Sequence, residues 1–318
     1  MPSPDRPFRL GTRRSPLALA QAEETRVRLC AAHGLDPEAV VLVPVVASGD
    51  KVQDRPLAEI GGKALWTREL DAWLIGGEID AAVHSAKDVE TVRPEALALV
   101  AFLPREDVRD VLVGAASLAA LPHLSLAALP PGARVGTSAP RRAAQVLNAR
   151  PDLTVVMFRG NVATRLAKLE QGEADATLLA RAGLNRLGLH DLGTPLEAEH
   201  WLPAPAQGAI AIEARAGDEA ARALLAAIDH AETHAAVRAE RALLAALGGN
   251  CHSPIAVLTT CEGARLHMTA ALFSPDGAAR IDGALAFAAD DADAPARLAA
   301  DLLARAAPGI AVHFAGPA

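Results

Sequence analysis

The chain has 318 residues, more than one compact core usually holds, so its length predicts two or three domains. Hydrophobic residues make up 51% of it and charged residues 22%, which is typical of a folded globular protein and excludes a largely disordered one. With six Phe, three Trp, no Tyr and a net charge of −7, it lacks the aromatic platforms and the basic surface that nucleic-acid binding requires.

The beginning of the chain and its cysteines indicate where the protein works. The first ten residues, MPSPDRPFRL, contain no apolar segment of the kind that directs secretion. Apolar runs elsewhere, such as Ala96–Leu103, are far too short to cross a membrane. Cys30, Cys251 and Cys261 include no CxxC pair, which argues against a disulfide framework or a zinc site. We therefore expect a cytoplasmic protein with no membrane partner and no bound metal.

Strand and helix patterns alternate through the first hundred residues. Ser15 and Pro16 suit the cap and first position of a helix ending at Gly34, because a serine oxygen can accept a backbone N–H and glycine tolerates a left-handed turn. The segment Ser48–Lys63, rich in glycine and charge, is predicted to be a mobile lid. Strands are predicted at Phe8–Gly11, Val40–Val46 and Ile79–Val83, and a second helix at Trp66–Ile75. This alternation is typical of an α/β domain with a largely parallel sheet.

A second unit is predicted to begin after Pro104 and a third near Asp229. The second shows the same alternation, with strands predicted at Val108–Val113, Ala133–Val135, Thr154–Phe158 and Ala174–Leu179. In the third, a helix is predicted from about Glu232 to Leu247, strands at Pro254–Thr260, Leu266–Phe273 and Arg280–Phe287, and a final helix at about Pro295–Ala306. A run of strands flanked by two helices indicates a small α+β domain.

Polar and basic side chains follow several predicted strands, at points where a helix begins. Ligands of α/β sheets usually bind there, because a helix N-terminus offers free N–H groups and partial positive charge to an anion. Arginine adds a planar fork that pairs with carboxylate or phosphate, although a lone arginine is most often a solvated surface charge. The residues are Arg13, Ser15, Lys87, Asp88, Thr137, Ser138, Arg141, Arg142, Arg159 and Arg165. Together they predict a site for several carboxylates or phosphates.

Three residues near these positions need separate interpretation. Asp88 is ordinarily explained as a helix cap, but beside Lys87 its carboxylate can also stabilise positive charge and relay protons. Cys251 lies in the turn GGNCH. Most cysteines are buried and inert, whereas a thiol on a glycine-rich loop beside His252 can be reactive. His84, directly after an apolar strand, is predicted to be a structural, hydrogen-bonded histidine.

Nine segments, in order along the chain, resemble motifs of the porphobilinogen deaminase family. They are GTRRSPLALAQ, GGKALWTREL, HSAKDV, REDVRD, GTSAPRR, RGNVATRLAKLEQGEADA, LARAGLNRLG, PAPAQGAIAIEAR and GGNCHSPIAV. They extend from Gly11 to Val257, and nine motifs in register are far more specific than any one alone.

The resemblance implies a fold of three domains. Two α/β domains are expected to be similar to the lobes of type II periplasmic binding proteins, with a cleft between them. A small C-terminal α+β domain is expected to carry the cysteine loop. The implied boundaries are 1–104 with 209–227 for the first domain, 105–208 for the second and 228–318 for the third. We expect the chain to work as a monomer.

The resemblance also implies a transferase of tetrapyrrole (haem) biosynthesis. Such an enzyme condenses four porphobilinogen molecules into the linear hydroxymethylbilane and releases ammonia. Cys251 is implied to hold a dipyrromethane cofactor through a thioether, as a permanent primer made from the substrate. Asp88 is implied to be the catalytic acid/base, since loss of ammonia leaves an electrophilic azafulvene whose charge a carboxylate stabilises, and the attacking ring must later lose a proton.

The other implied site residues bind the acetate and propionate groups of the cofactor and the growing chain. Several arginine forks are needed, because each addition brings two more carboxylates. Those implied to bind the cofactor are Arg13, Ser15, Lys87, Asp88, Thr137, Ser138, Arg141, Arg142 and Arg159. Those implied to bind the substrate or the chain are Arg13, Ser15, Arg159, Arg165 and Arg186.

Five positions depart from the usual motifs of the family. Glu90 stands in KDVE where KDVP is usual, SAP at Ala139 and Pro140 replaces SSL, Ala206 replaces the first glycine of GQG, and Asn250 replaces the glycine before the cysteine. They leave loop geometry and substrate affinity open, but not the reaction class.

Two other classes of protein fit parts of the pattern. A non-enzymatic anion-binding protein can share the two-lobed scaffold, but the lack of a predicted signal peptide and the cysteine loop count against it. A hydrolase using Cys251 and a histidine requires a Cys/His/Asn signature that the sequence does not show. The mass of the intact protein separates all three, because only the deaminase carries an adduct of two pyrrole units.

Overall fold

The computed structural model describes residues 1–45, 67–118, 123–250 and 252–314. The predicted lid at Ser48–Lys63 and the predicted cofactor residue Cys251 lie outside the described residues. The chain divides into two compact units, Met1–Glu106 with Gly208–His234 and Asp107–Gln207 with Ala235–Ala318.

The described helices and strands are numbered in chain order. The strands are β1 Phe8–Arg13, β2 Val40–Val45, β3 Ala81–Ser85, β4 Leu97–Phe102, β5 Asp110–Gly114, β6 Arg134–Gly136, β7 Thr154–Val156, β8 Ala176–Ala180, β9 Thr194–Pro195, β10 Ile210–Arg215, β11 Ile255–Glu262, β12 Arg265–Phe273 and β13 Arg280–Ala288. The helices are α1 Pro16–His33, α2 Arg68–Gly76, α3 Pro140–Ala149, α4 Val162–Glu170, α5 Arg181–Arg186, α6 Glu219–Ala226, α7 Ala231–Ala246, α8 Ala294–Arg305 and α9 Pro308–Ala311. Within the described ranges, no helix has both the length and the apolar character needed to span a membrane.

The first unit is built on a five-stranded sheet in the order β2-β1-β3-β10-β4. β1 runs parallel to β2 and β3, while β10 returns from a distant part of the chain and runs antiparallel to β3 and β4. Helices α1 and α6 pack on one face around Leu10, Leu29 and Ile212. Helix α2 packs on the other face through Leu70 and Leu74. The sheet is therefore buried on both sides, as parallel sheets usually are.

The first helix begins and ends where its sequence predicts. The Ser15 Oγ accepts a hydrogen bond of 3.3 Å from the Ala18 N–H, and Pro16 occupies the first turn. At the other end, Gly34 adopts φ 61° and its N–H donates to the Cys30 carbonyl. This placement matters for the site because the N-terminus of α1 follows directly after the carboxyl end of β1.

The second unit contains two sheets. One has five strands in the order β7-β6-β8-β5-β9, with β6 parallel to β7 and β8 and with β5 antiparallel to β8. The other is the predicted antiparallel meander β11-β12-β13, which packs with α7 and α8 around Leu243, Phe287 and Leu298. Two mixed α/β sheets and a small α+β part confirm the predicted class of two α/β parts followed by a C-terminal α+β part. The domain boundaries stay a prediction.

Some elements differ from the sequence-based expectation. The patterns do not predict β4, β10, α5 or α6, although the apolar run of IAIEAR at Ile210–Arg215 is a usable signal for β10. β7 ends at Val156, two residues earlier than predicted. A Cβ on Gly136 would lie 2.5 Å from the Phe158 ring, so this ring packs directly against the backbone of β6 instead of continuing the strand.

Candidate active site

Asp88 lies in a single 3-10 turn, Ala86–Asp88, directly after β3. The turn is fixed at its base, where the Ala86 N–H donates to the Ala209 carbonyl at 3.0 Å and the Val89 N–H to the Ala86 carbonyl at 3.3 Å. Asp88 is half-buried, and within the described part of the chain its carboxylate has no hydrogen-bond or ion-pair partner. It is therefore free to meet a ligand and to exchange a proton, and it caps no helix.

The structure brings Arg13, Ser15 and Lys87 to the same edge of the first sheet as Asp88. β1 ends at Arg13, β3 ends just before the Asp88 turn, and the two strands are parallel neighbours. Carboxyl ends of parallel strands meet at one edge, which is where α/β sheets bind ligands. All four residues are half-buried. The predicted site residues of the first unit are thus neighbours in the fold.

Five polar side chains, four of them charged, form a largely buried group next to this edge, here called the Arg93 cluster. Its members are Asp71, His84, Glu90, Arg93 and Glu213. The Arg93 guanidinium donates to both carboxylate oxygens of Glu213 at 2.8 Å, to Asp71 at 2.5 Å and to Glu90 at 2.5 Å. His84 Nε2 lies 3.2 Å from Glu213 Oε2, which confirms the predicted hydrogen-bonded structural histidine.

The cluster shifts the pKa values of two of its acids in opposite directions. Burial opposes ionisation of Glu213, but its hydrogen bonds with His84 and Arg93 lower its pKa to about 2. Burial raises the pKa of Asp71, because the hydrogen bond and the charge of Arg93 offset only part of the cost of desolvation, and the charge of Glu213 adds a smaller rise. Burial therefore decides the direction at Asp71, whereas hydrogen bonds and opposite charge decide it at Glu213.

In the second unit, Thr137 and Ser138 lie between the end of β6 and the start of α3. The Thr137 N–H donates to the Val156 carbonyl at 2.9 Å, and its Oγ1 accepts from the Ala139 N–H at 3.2 Å. Ala139 offers no side-chain cap to α3, and Pro140 occupies its first turn, where a missing N–H costs nothing. The two departures at Ala139 and Pro140 thus leave the other first-turn N–H groups available to an anion.

Arg141 and Arg142 are buried, and both bind one carboxylate. Asp110 Oδ2 accepts from Arg141 Nη2 at 2.8 Å and from Trp201 Nε1 at 2.9 Å. Its Oδ1 accepts from Arg142 Nη2 at 2.7 Å and from Gln207 Nε2 at 2.8 Å. The predicted anion-binding pair is therefore engaged with the protein itself, a relationship that the spacing of the sequence does not indicate.

This arrangement leaves positive charge at the start of α3. Asp110 is completely buried, yet the two guanidinium charges outweigh burial and hold the pKa of its carboxyl well below its ordinary value. One carboxylate neutralises one of the two arginines, so Arg141, Arg142 and Asp110 together carry an excess of one positive charge. The Nε atoms of both arginines are buried without a hydrogen-bond partner among the described residues. Direct contact of these arginines with a cofactor stays a prediction.

Three further predicted arginines follow strands β7 and β8 of the same sheet. Arg159 comes just after β7 and is 6% exposed. Arg165 lies in the first turns of α4, where its Nε donates to the Gly160 carbonyl at 3.0 Å. Arg186 is the last residue of α5, which begins directly after β8. Because β6, β7 and β8 are parallel, Thr137, Arg159 and the start of α5 share one edge of the sheet.

The described residues on either side of Cys251 are hydrogen-bonded to one another. The Asn250 N–H donates to Ser253 Oγ at 3.0 Å, and Asn250 Oδ1 accepts from the His252 N–H at 2.8 Å. The second of these bonds needs a side-chain oxygen, so the departure from glycine at position 250 adds order to the turn. Cys30, by contrast, is buried, and burial raises the pKa of its thiol, which disfavours a reactive thiolate.

Several residues that build these sites have no signal of their own in the sequence. Asp110 and Gln207 lie inside the family-like motifs REDVRD and PAPAQG. Glu213 and Gln21 also lie in such motifs, and Gln21 Oε1 accepts from Ser85 Oγ at 3.0 Å beside the Asp88 turn. Trp201 is the exception, since it belongs to none of them. The other four residues could have been selected from the sequence because each is a polar residue within one of these motifs.

Comparison with known proteins identifies the family. Residues 8–223 match the sequence model described as "Porphobilinogen deaminase, dipyromethane cofactor binding domain", and residues 234–304 match "Porphobilinogen deaminase, C-terminal domain". The chain is 57% identical over 314 residues to porphobilinogen deaminase of Sphingopyxis alaskensis, with 98% of each protein covered. It is 52% identical over 278 residues to that of Paracoccus denitrificans, with 87% of each covered.

Among solved structures, the periplasmic VFT2 domain of Bordetella pertussis BvgS aligns with 70% of this chain and 86% of its own, at 18% identity and a TM-score of 0.39. The matches to the two family models together cover most of the chain, and relatives more than half identical extend over nearly all of it. The chain belongs to the porphobilinogen deaminase family.

Proposed function

We propose that this chain is a hydroxymethylbilane synthase, which condenses four porphobilinogen molecules head to tail and releases one ammonia for each bond formed. The observation that carries the proposal is Asp88, a half-buried carboxylate with no partner within the described residues. It lies at the same sheet edge as Arg13, Ser15 and Lys87, which suit a substrate that carries carboxylates. Family membership supports the reaction class, and the geometry supports the role of Asp88.

Asp88 acts twice in each condensation. When the aminomethyl nitrogen of porphobilinogen leaves as ammonia, the C–N bond breaks and the methylene carbon and its ring share a positive charge, which the carboxylate stabilises. A pyrrole α-carbon then forms a C–C bond to that methylene, and the attacking ring must lose its α-proton. Asp88 accepts this proton, which finally leaves with the ammonia as ammonium. One carboxylate can serve both steps because they are sequential.

Cys251 would hold a dipyrromethane through a thioether, and this group would supply the first pyrrole α-carbon as a primer that stays on the protein. The residues present fit such a group, because each of its rings carries an acetate and a propionate and the proposed ligands are donors or cations. In the first unit, the Arg13 guanidinium and the Ser15 hydroxyl are the proposed ligands of these carboxylates. Thr137 and Ser138 offer hydroxyl and backbone N–H groups at the start of α3 in the second.

The arginines of the second unit divide into two proposed roles. Arg159, Arg165 and Arg186 hold carboxylates of the growing chain, and Arg159 also binds the cofactor. Arg141 and Arg142 act on the cofactor carboxylates mainly through the excess positive charge that they leave beside the α3 N-terminus. Their Nη2 atoms donate to Asp110, and their Nη1 atoms donate to other groups of the protein.

We further propose that the protein works as a monomer in the cytoplasm and binds no nucleic acid. Within the described residues, neither Cys30 nor Cys261 forms a disulfide, which is compatible with a reducing compartment. The net charge of −7 disfavours a polyanion partner. Sedimentation of the purified protein tests the oligomeric state, and a stable dimer would contradict it.

The role of Asp88 is tested by Asp88→Asn, with Glu95→Gln as a matched control that removes an exposed carboxylate of the same unit. We expect Asp88→Asn to retain its circular dichroism spectrum and to lose at least about 10²-fold in uroporphyrin formed after acid oxidation. Glu95→Gln should match the parent. Near-normal turnover of a folded Asp88→Asn protein would remove Asp88 from the mechanism.

The primer site is tested by the mass of the intact protein and by reaction with Ehrlich's reagent. The parent, Cys30→Ser and Cys261→Ser should each carry an adduct of two pyrrole units and turn red. Cys251→Ser should be folded, colourless and without the adduct. An adduct that persists in Cys251→Ser would disprove the attachment site, and a parent protein without any adduct or turnover would favour the non-enzymatic anion-binding protein.

A further inference from the structure

The Arg93 cluster contacts the chain on both sides of the Asp88 turn. His84, on β3, comes four positions before Asp88, and Glu90 and Arg93 come two and five positions after it. All three are bonded within the cluster, which links them to Glu213 on β10. The backbone that carries Asp88 is therefore fastened at its entry and at its exit to a neighbouring strand of the sheet.

The cluster extends from there to the start of α2. Arg93 donates to Asp71 in that helix at 2.5 Å, and the Thr67 hydroxyl lies 2.9 Å from Glu90 Oε2 and 3.1 Å from Asp71 Oδ2. Arg93 has only 8% of its side chain exposed, and Glu213 has none. These bonds are thus shielded from water, and they join α2, β3, β10 and the segment after Asp88.

Three carboxylates share one guanidinium in this cluster. Asp71, Glu90 and Glu213 each place a carboxylate oxygen against Arg93. Removing charges from water is costly, and like charges held close together repel, so such a group is a poor source of folding stability. What it supplies is geometry, because an arginine fork with several carboxylate partners holds them at defined positions and angles.

We propose that Glu90 and Arg93 are positioning residues for Asp88, which hold its carboxylate in the orientation needed for condensation. The proposal rests on the proposed catalytic role of Asp88. Glu90, one of the departures from the usual family motif, then has a defined role, because it fastens the segment after the turn to Arg93 and to the N-terminus of α2.

The decisive variant is Glu90→Gln, which keeps the shape of the side chain and removes one of the three carboxylate charges around Arg93. We expect the loaded enzyme to melt at or above the temperature of the parent, with kcat about tenfold lower and KM unchanged, since a small misplacement of a catalytic group slows chemistry more than binding. Arg93→Lys keeps the positive charge but loses the fork, and it should lower kcat in the same way. The mass adduct of each protein confirms that it is loaded.

A second measurement separates positioning from general loss of structure. Amide hydrogen exchange of residues 84–93 should be faster in Glu90→Gln than in the parent, with amides of the first unit that lie outside the elements joined by the Arg93 cluster unchanged. Ile228→Val is the control, because it removes one buried methyl group from the core of the same unit, in a hydrophobic cluster that includes no member of the Arg93 cluster. It should lower the melting temperature and leave both kcat and exchange at residues 84–93 as in the parent.

The outcomes distinguish this inference from the proposed function. A parent-like kcat in Glu90→Gln overturns the inference, and so does a lower kcat with unchanged amide exchange at residues 84–93. In either case, an inactive Asp88→Asn protein would still support the proposed function. Near-normal turnover of Asp88→Asn overturns both.

Discussion

In the second unit, the Ala206 N–H donates a hydrogen bond of 2.6 Å to Oε2 of Glu240, a side chain of α7 that is completely buried. The other oxygen of Glu240 accepts from the Thr259 N–H on β11 at 2.8 Å. One carboxylate thus joins the segment before β10 to the first strand of the meander. Ala206 has φ 60°, and no other non-glycine residue in the described ranges has a positive φ.

The conformation of Ala206 predicts that Ala206→Gly stabilises the protein. A left-handed alanine costs roughly 1–2 kcal/mol, whereas the extra freedom of glycine in the unfolded chain costs roughly 0.4–1 kcal/mol, so we expect a net gain of about 0.5–1 kcal/mol. Urea unfolding measures it. Ala216→Gly, at a position without a positive φ, should be destabilising, and the prediction fails if both variants change stability alike.

Asp110 predicts a specific loss of stability in acid. Its pKa in the folded protein lies below its ordinary value of 3.8, so its contribution is present above about pH 4 and is lost as the pH falls toward the folded pKa. Asp110→Asn leaves two buried arginines without a counter-charge, and we expect it to cost about 3–5 kcal/mol at pH 7. The difference in unfolding free energy between the parent and Asp110→Asn should narrow by about 1.4 kcal/mol per pH unit below 3.8.

Urea unfolding of the parent and Asp110→Asn at pH 7, 5, 4 and 3 measures this gap. Asp152→Asn is the control, because its carboxylate pairs with Arg150 at the surface and should contribute little at any pH. Parallel stability curves for the parent and Asp110→Asn would contradict the coupling of Asp110 to the two arginines.

The hydrogen bond of Asn250 allows a prediction for Asn250→Gly, which restores the residue that the family usually has at this position. Asn250→Gly removes the acceptor of the His252 N–H, so exchange of that amide should accelerate by about three- to tenfold, equivalent to a net hydrogen bond of about 0.5–1.5 kcal/mol. Ser253→Ala, which removes the acceptor of the Asn250 N–H instead, should leave the His252 amide less affected. Unchanged exchange at His252 in Asn250→Gly would show that the side chain does not order the turn.

Arg159 and Arg165 predict length-specific defects. If each holds particular carboxylates of the growing chain, Arg159→Leu and Arg165→Leu should stall the reaction after different numbers of additions. Mass spectra of the enzyme during turnover would show one, two or three extra pyrroles accumulating. Arg297→Leu, which breaks an exposed ion pair with Asp291, serves as the control and should show the distribution of the parent. The same distribution in all four proteins would show that neither Arg159 nor Arg165 holds the growing chain at a particular length.

Elements whose signals are local were predictable from the sequence. The first helix begins at Ser15 and ends at Gly34 as predicted, because a cap and a left-handed glycine act on backbone groups within a few residues of themselves. The meander of the C-terminal part was predictable for a similar reason, since its strands pair with their neighbours in sequence. The position of Asp88 at the end of a buried strand also follows from a short pattern.

The partners of the buried charges were decided only by tertiary structure. Glu213 pairs with Arg93 across 120 positions of sequence, and Asp110 meets Trp201 across 91, because the sheets bring distant strands side by side. From the sequence alone, Arg141 and Arg142 look like any pair of arginines that binds an external anion. Their spacing cannot reveal that both already donate hydrogen bonds to the Asp110 carboxylate. A charge in a low-dielectric interior is governed by the groups within a few ångströms of it, and in these sheets those groups come from remote parts of the chain.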